Sequence, residues 1–192
     1  MTVGKRILMQ MFGRPQGSLG RLGGIIMART NQRIAAWAID QLGIRQSDKV
    51  LEVGFGPGVG IELLAKSASS GRVVGVDASN AMVEQATSRN AKAIEAGRVD
   101  LRKGAVEQLP FADKMFDAAL AVNSMQVWPD AVAGLREIRR VMKPSGRIAL
   151  AFTRHSGQPK PGVADLLMAA GFSNVRVVEM DDEGFCALAM KP

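Results

Sequence analysis

Tyrosine is missing from this chain of 192 residues, and cysteine and histidine occur once each. Without a phenol, every mechanism built on tyrosine is excluded. A lone cysteine, Cys186, excludes an internal disulfide and any cysteine-cluster metal site. It lies in an apolar run, residues 185–190, where a buried free thiol is the expected state. No apolar run approaches the roughly 20 residues of a membrane span. The first residues also lack a secretory h-region with its cleavage site, so a cytoplasmic protein is expected.

Acidic residues are absent before Asp40, whereas Lys5, Arg6, Arg14, Arg21, Arg29 and Arg33 all precede it. The net charge is +7, yet beyond those six residues 19 basic groups face 18 acids. Almost the whole excess therefore sits in the first 39 residues. A basic segment interleaved with apolar residues would suit an anionic membrane surface or steer an anionic substrate. Glycines at 13, 17, 20, 23 and 24 interrupt it, so a mobile arm with simply solvated charges is the competing reading. Apolar residues at helical spacing from Ile26 to Leu42 predict a helix, with Gly43 as its stop. Length and composition, 47% hydrophobic and 22% charged, fit one globular domain over 1–192. Within it, residues 1–47 form a basic arm and cap helix, and residues 48–192 the core.

The core is organised around VLEVGFGPGVG, Val50–Gly60. Val50, Leu51 and Val53 predict a short buried strand. Gly54, Gly56 and Gly58 predict a turn of bare backbone, and the residues from Val59 a helix packed back on the sheet. Such a unit would offer backbone N–H groups and a helix N-terminus to a nucleotide-like ligand. The spacing fails the dinucleotide pattern Gly-x-Gly-x-x-Gly in both frames, because Val59 or Ile61 falls at the third glycine. That counts against an oxidoreductase using a nicotinamide cofactor. A second buried strand, RVVGVDA from Arg72 to Ala78, ends in Asp77. About 20 residues past the glycines, a carboxylate supplies the paired acceptor that two ribose hydroxyls need.

Glu52-x-Gly54-x-Gly56-x-Gly58 resembles motif I of the class I S-adenosylmethionine (SAM) methyltransferases. GAVEQLPF, residues 104–111, and EIRRVMKPSG, residues 137–146, resemble the ubiquinone/menaquinone type of that family, methyltransferase type 11. The resemblance runs from about Asp48 to the C-terminus. It implies an α/β, doubly wound, Rossmann-like sheet of seven strands in the order 3-2-1-4-5-7-6, the last antiparallel, with an N-terminal helical cap. It implies SAM as cofactor, no metal, and a methyl group passed to a small-molecule acceptor.

By the same resemblance, Glu52, Gly54, Phe55, Gly56, Gly58, Asp77, Ala78, Ala105, Val106 and Asn123 would meet the cofactor. The family usually has Asp at the place of Ala105, where it accepts from the adenine amino group, so that acceptor is missing here. The substrate pocket would draw on Met27 and Asn31 before the core, and on Ser124 and Trp128 after the fourth strand. His155, just past the fifth strand, is the candidate base for an acceptor that carries a proton. Asn123-Ser124-Met125-Gln126 stands where nitrogen-methylating relatives carry Asn-Pro-Pro-Tyr. An anionic membrane surface is a second candidate partner, nucleic acid is not expected, and the oligomeric state is unread. A non-catalytic protein binding lipid or nucleic acid through the basic arm is the remaining alternative.

Overall fold

The computed structural model describes residues 31–192. A helix, α1, covers residues 31–42 and ends at Gly43, whose φ of +62° and N–H donated to the Ile39 carbonyl make it the stop the sequence predicts. The chain then alternates strand and helix: β1 (Lys49–Val53), α2 (Val59–Ser67), β2 (Arg72–Asp77), α3 (Asn80–Arg89), α4 (Ala91–Glu95) and β3 (Val99–Lys103). After a loop come β4 (Phe116–Val122), a short 3-10 turn (Met125–Val127), α5 (Ala131–Val141) and β5 (Met142–Thr153). α6 (Val163–Ala169) and the hairpin β6 (Ser173–Met180) and β7 (Gly184–Met190) complete the sheet.

The seven strands lie in the order β3-β2-β1-β4-β5-β7-β6, with β7 antiparallel to both neighbours. The sheet is the expected one, and its side-chain alternation explains the layers. Leu51, Val53, Ala119, Ala121, Ile148 and Leu150 face α5 and α6, whose Leu135, Ile138, Val163 and Leu167 are buried against them. Val50, Ala118, Leu120, Val122, Ala149 and Ala151 face the other way, onto α1, α2 and α3. The alanines of the central strands let those helices approach closely. Glu52 shares the parity of Val50, so its carboxyl is carried into this second, apolar layer.

Met82, Val83, Ala86 and Ile94 form an apolar stripe at helical spacing, yet the helix breaks at Asn90, which turns its side chain into the fold and separates α3 from α4. β5 bulges over residues 143–146: Phe116 pairs with Met142, and Ala118 already with Arg147. Ser145 takes a φ of +60° in that bulge, and Lys191 pairs with it across the sheet edge. No helix among the described residues is long and apolar enough to cross a membrane.

Candidate active site

Open α/β sheets place ligands beyond the carboxyl ends of their strands, and the cleft of this molecule lies there. It holds a cavity of about 50 Å³, partly open to solvent. Glu52 and the turn Gly54–Pro57 line it from β1, Val59 and Gly60 from α2. Asn31 and Ala35 of α1, with Val122 of β4 and Asn123 just after it, line it as well.

The three glycines of the turn, all at positive φ, meet different surroundings. A Cβ on Gly54 would lie 2.4 Å from that of Ser124, and one on Gly58 would lie 2.7 Å from that of Ala86. Those two positions are closed by packing. A Cβ on Gly56 would meet nothing within 4 Å, so this position alone opens onto free space. The turn does not offer its glycine N–H groups to a ligand as the sequence suggested. Gly54 N–H donates to Val76 O, Gly58 N–H to Phe55 O, and Gly56 N–H to Oδ2 of Asp77 at 2.9 Å. Phe55, 3% exposed, sets its ring against Gly75 of β2.

Asp77 ends β2 beside the turn. Its Oδ1 accepts from the Ser79 N–H at 2.8 Å, so both oxygens are fixed by backbone donors. Burial raises its pKa, and the two N–H bonds pull the other way. Ala78 next to it is exposed, and Ser79 caps α3. Glu52 is 2% exposed, and its Oε2 has no hydrogen-bond partner. Burial drives its pKa well above the ordinary value, and the charge of Asp77 adds to the shift.

Sequence reasoning missed the residues that hold this turn from behind. The Asn90 amide donates to the Gly58 and Ala86 carbonyls at 3.1 and 2.9 Å, and Arg89 Nε donates to Pro57 O at 3.0 Å. A polar residue interrupting the apolar stripe was the signal for Asn90. The loop after β3 is braced similarly. Glu137 Oε1 accepts the Leu109 N–H at 2.9 Å, while Arg140 binds Glu137, Asp113 and the carbonyls of Leu109 and Phe111. That loop carries Ala105, exposed, and Val106, 6% exposed.

The remaining candidates separate. Asn123 and Asn31 meet directly, Nδ2 to Oδ1 at 2.9 Å. Ser124 does not line the cleft: it is 6% exposed and its hydroxyl donates to Val53 O at 2.9 Å. Trp128 does not line it either, because it packs against Gly134 of α5 on the opposite face of the sheet. His155 is exposed on the turn after β5. Met27 and five of the six basic residues of the arm lie outside the described residues; Arg33, the sixth, pairs with Glu183 at 2.7 Å. Cys186 is a buried free thiol whose pKa burial pushes up to about 12. No cluster of three potential metal ligands occurs among the described residues.

This fold, with an acidic strand end facing a glycine turn, defines a class, and comparison with known proteins gives the same one. The family model of the methyltransferase domain matches residues 51–150, and the chain belongs to that family. It is a SAM-dependent methyltransferase. The uncharacterised methyltransferase YdaC of Bacillus subtilis is 32% identical over 183 residues, covering 89% of this chain and 98% of that one. The ubiquinone/menaquinone biosynthesis C-methyltransferase UbiE of Geotalea daltonii is 32% identical over 59% of this chain, which spans about half of that relative, 49%. A SAM-dependent methyltransferase from Aquifex aeolicus shares the fold with a TM-score of 0.75 at 24% identity, over 85% of this chain and 93% of the other.

Proposed function

We propose that this single domain, residues 1–192, passes the methyl group of SAM to a small-molecule acceptor at the cleft between the glycine turn and α1. The observation that carries this reading is Asp77, a carboxylate held by the Gly56 and Ser79 N–H groups at the end of β2. Two backbone donors leave each oxygen a lone pair, which is what two neighbouring ribose hydroxyls require. The cofactor's methionine end carries an ammonium, and Glu52, a buried carboxylate with an unpartnered oxygen, is its complement. The open space above Gly56 admits the cofactor against backbone. Ala105 and Val106 would flank adenine without the usual side-chain acceptor.

SAM supplies a methyl already activated on a sulfonium. The protein's part is to hold the acceptor in line with it, which is mainly a matter of positioning. His155 is the proposed base only for an acceptor that carries a proton at working pH. The UbiE relative's name puts acceptors of ubiquinone and menaquinone biosynthesis first in the pool to be screened. The basic excess before Asp40 supports a further partner, an anionic membrane surface.

Calorimetric titration with S-adenosylhomocysteine tests the site. The parent should bind, and Asp77→Ala should lose about 1.5–3 kcal/mol of affinity, the range for hydrogen bonds to a charged group. Equal binding by both chains would refute the assignment. Transfer of labelled methyl from SAM into small-molecule pools then tests the acceptor class.

A further inference from the structure

We propose that Asn123 is a positioning residue that seats α1 against the cleft, so that cofactor binding and the seating of this helix are coupled. The coupling rests on the reading of the cleft as the SAM site. Asn123 follows β4 with a φ of +48°, a left-handed conformation that asparagine adopts more readily than most residues. Its backbone N–H donates to Ala151 O at 2.9 Å, which fixes the turn on β5. The side chain then reaches across the strand ends. Its Oδ1 accepts from the Thr153 backbone N–H at 2.8 Å and from the Thr153 hydroxyl at 3.3 Å. Its Nδ2 donates to Asn31 Oδ1 at 2.9 Å.

One carboxamide thus joins β4, β5 and the first described turn of α1. The site needs an acceptor and a donor side by side, and the carboxamide supplies both. The contact bridges 92 residues of chain, tying α1 to a distant strand end. Further along, α1 is anchored independently, by Ile34, Ala38, Ile39 and Leu42, each at most 6% exposed. Losing the amide pair would therefore loosen the first described turn of the helix while the rest stays packed. That turn carries Asn31 and Ala35, which line the cleft with Glu52 and the glycine turn. Whatever the seated helix adds to cofactor affinity, the cofactor must add to the seating of the helix.

Calorimetric titration with S-adenosylhomocysteine and amide hydrogen exchange over residues 31–42 test this on the full chain. The variants are Asn123→Ala, Asn31→Ala and the double replacement. In the parent, the ligand should slow exchange over these residues. Asn31→Ala should bind roughly three- to tenfold more weakly, the loss of the bond to Asn123, and Asn123→Ala, which also leaves the Thr153 donors without their acceptor, at least as weakly. The double variant should lose less than the sum of the two single losses, because the two residues share a contact. The ligand's protection of the first described turn, residues 31–35, should be lost in all three, while the anchored residues 36–42 exchange as in the parent. Additive losses, or protection retained in Asn31→Ala, would overturn the coupling, since a merely structural role leaves ligand-dependent protection intact. Asn31 is half-buried, so its variant carries the test should Asn123→Ala fail to fold. A parent that binds no S-adenosylhomocysteine would overturn the cofactor reading and the coupling together; a parent that binds, with additive variants, overturns the coupling alone.

Discussion

Gly60 and Glu52 compete for the same space: a Cβ on Gly60 would lie 2.1 Å from Oε1 of Glu52 and 2.7 Å from its Oε2. The first turn of α2 therefore rests directly on the one acidic side chain that β1 sends into its apolar layer. A residue at 60 larger than glycine must move either the helix or the carboxylate.

Gly60→Ala should destabilise the chain in spite of a helix-propensity gain of about 1 kcal/mol, because overpacking typically costs about 1–3 kcal/mol. It should also weaken S-adenosylhomocysteine binding. In a Glu52→Ala background the clash is gone, and Gly60→Ala should become stabilising by roughly 1 kcal/mol. Thermal melts of the four chains check this; the same sign in both backgrounds would separate Gly60 from Glu52.

The buried carboxyl also sets a pH dependence. Burial raises the Glu52 pKa above its ordinary 4.5, so folding favours the neutral form. The stability that this preference contributes is complete below 4.5 and is lost as pH climbs through the raised value. Glu52→Gln stays neutral throughout, and near neutral pH it should exceed the parent's stability by about 0.5–2 kcal/mol, as buried functional groups often allow. The advantage should vanish in denaturant melts below pH 4.5. Cofactor affinity should fall in the same variant, and in the parent it should rise with pH as the carboxyl ionises against the ligand's ammonium.

The first strands and the glycine turn were legible in the sequence because buried parallel strands read as continuous apolar runs: VLEV and RVVGVD match β1 and β2. Asp77 was legible for a similar local reason, being the one acid at the end of such a run. What stayed hidden depends on partners far along the chain. The bulge in β5 is held by Lys191, which pairs with both Ser145 and Gly146. The glycine N–H groups look free in sequence, yet Val76, Phe55 and Asp77 use them. Asn90 and Asn123 carry no periodic signal, since each acts through a carboxamide whose partners the fold supplies.

The brace behind the β3–β4 loop gives a third test. Hydrogen bonding from Arg140 holds the Glu137 carboxyl below its ordinary pKa of 4.5. That pairing contributes stability above the ordinary value and loses it as pH falls through the lowered one. Arg140→Lys keeps the charge but not the planar fork that reaches Glu137 and two carbonyls. It should cost about 1–2 kcal/mol near neutral pH. Hydrogen exchange should rise over residues 104–113, and an unchanged pattern there would show that the loop holds itself.

Ala105 allows the cofactor pose to be tested by a gain rather than a loss. The loop that carries it is tied to the cofactor side of the sheet, since the Gly104 N–H donates to the Asp77 carbonyl at 3.0 Å. Glu137 and Arg140 fix the far end of the same loop. Position 105 is exposed, so a carboxylate placed there keeps its hydration and costs little by itself. If adenine lies along this loop, as the family resemblance implies, Ala105→Asp supplies an acceptor for its amino group. Affinity for S-adenosylhomocysteine should then improve by about 1 kcal/mol, the net value of one hydrogen bond. Ala105→Val, which adds bulk without an acceptor, should bring no gain. Calorimetry on the three chains decides the matter, with added salt separating a hydrogen bond from general attraction between charges. Unchanged or weaker binding by Ala105→Asp would place the adenine elsewhere on the carboxyl edge of the sheet.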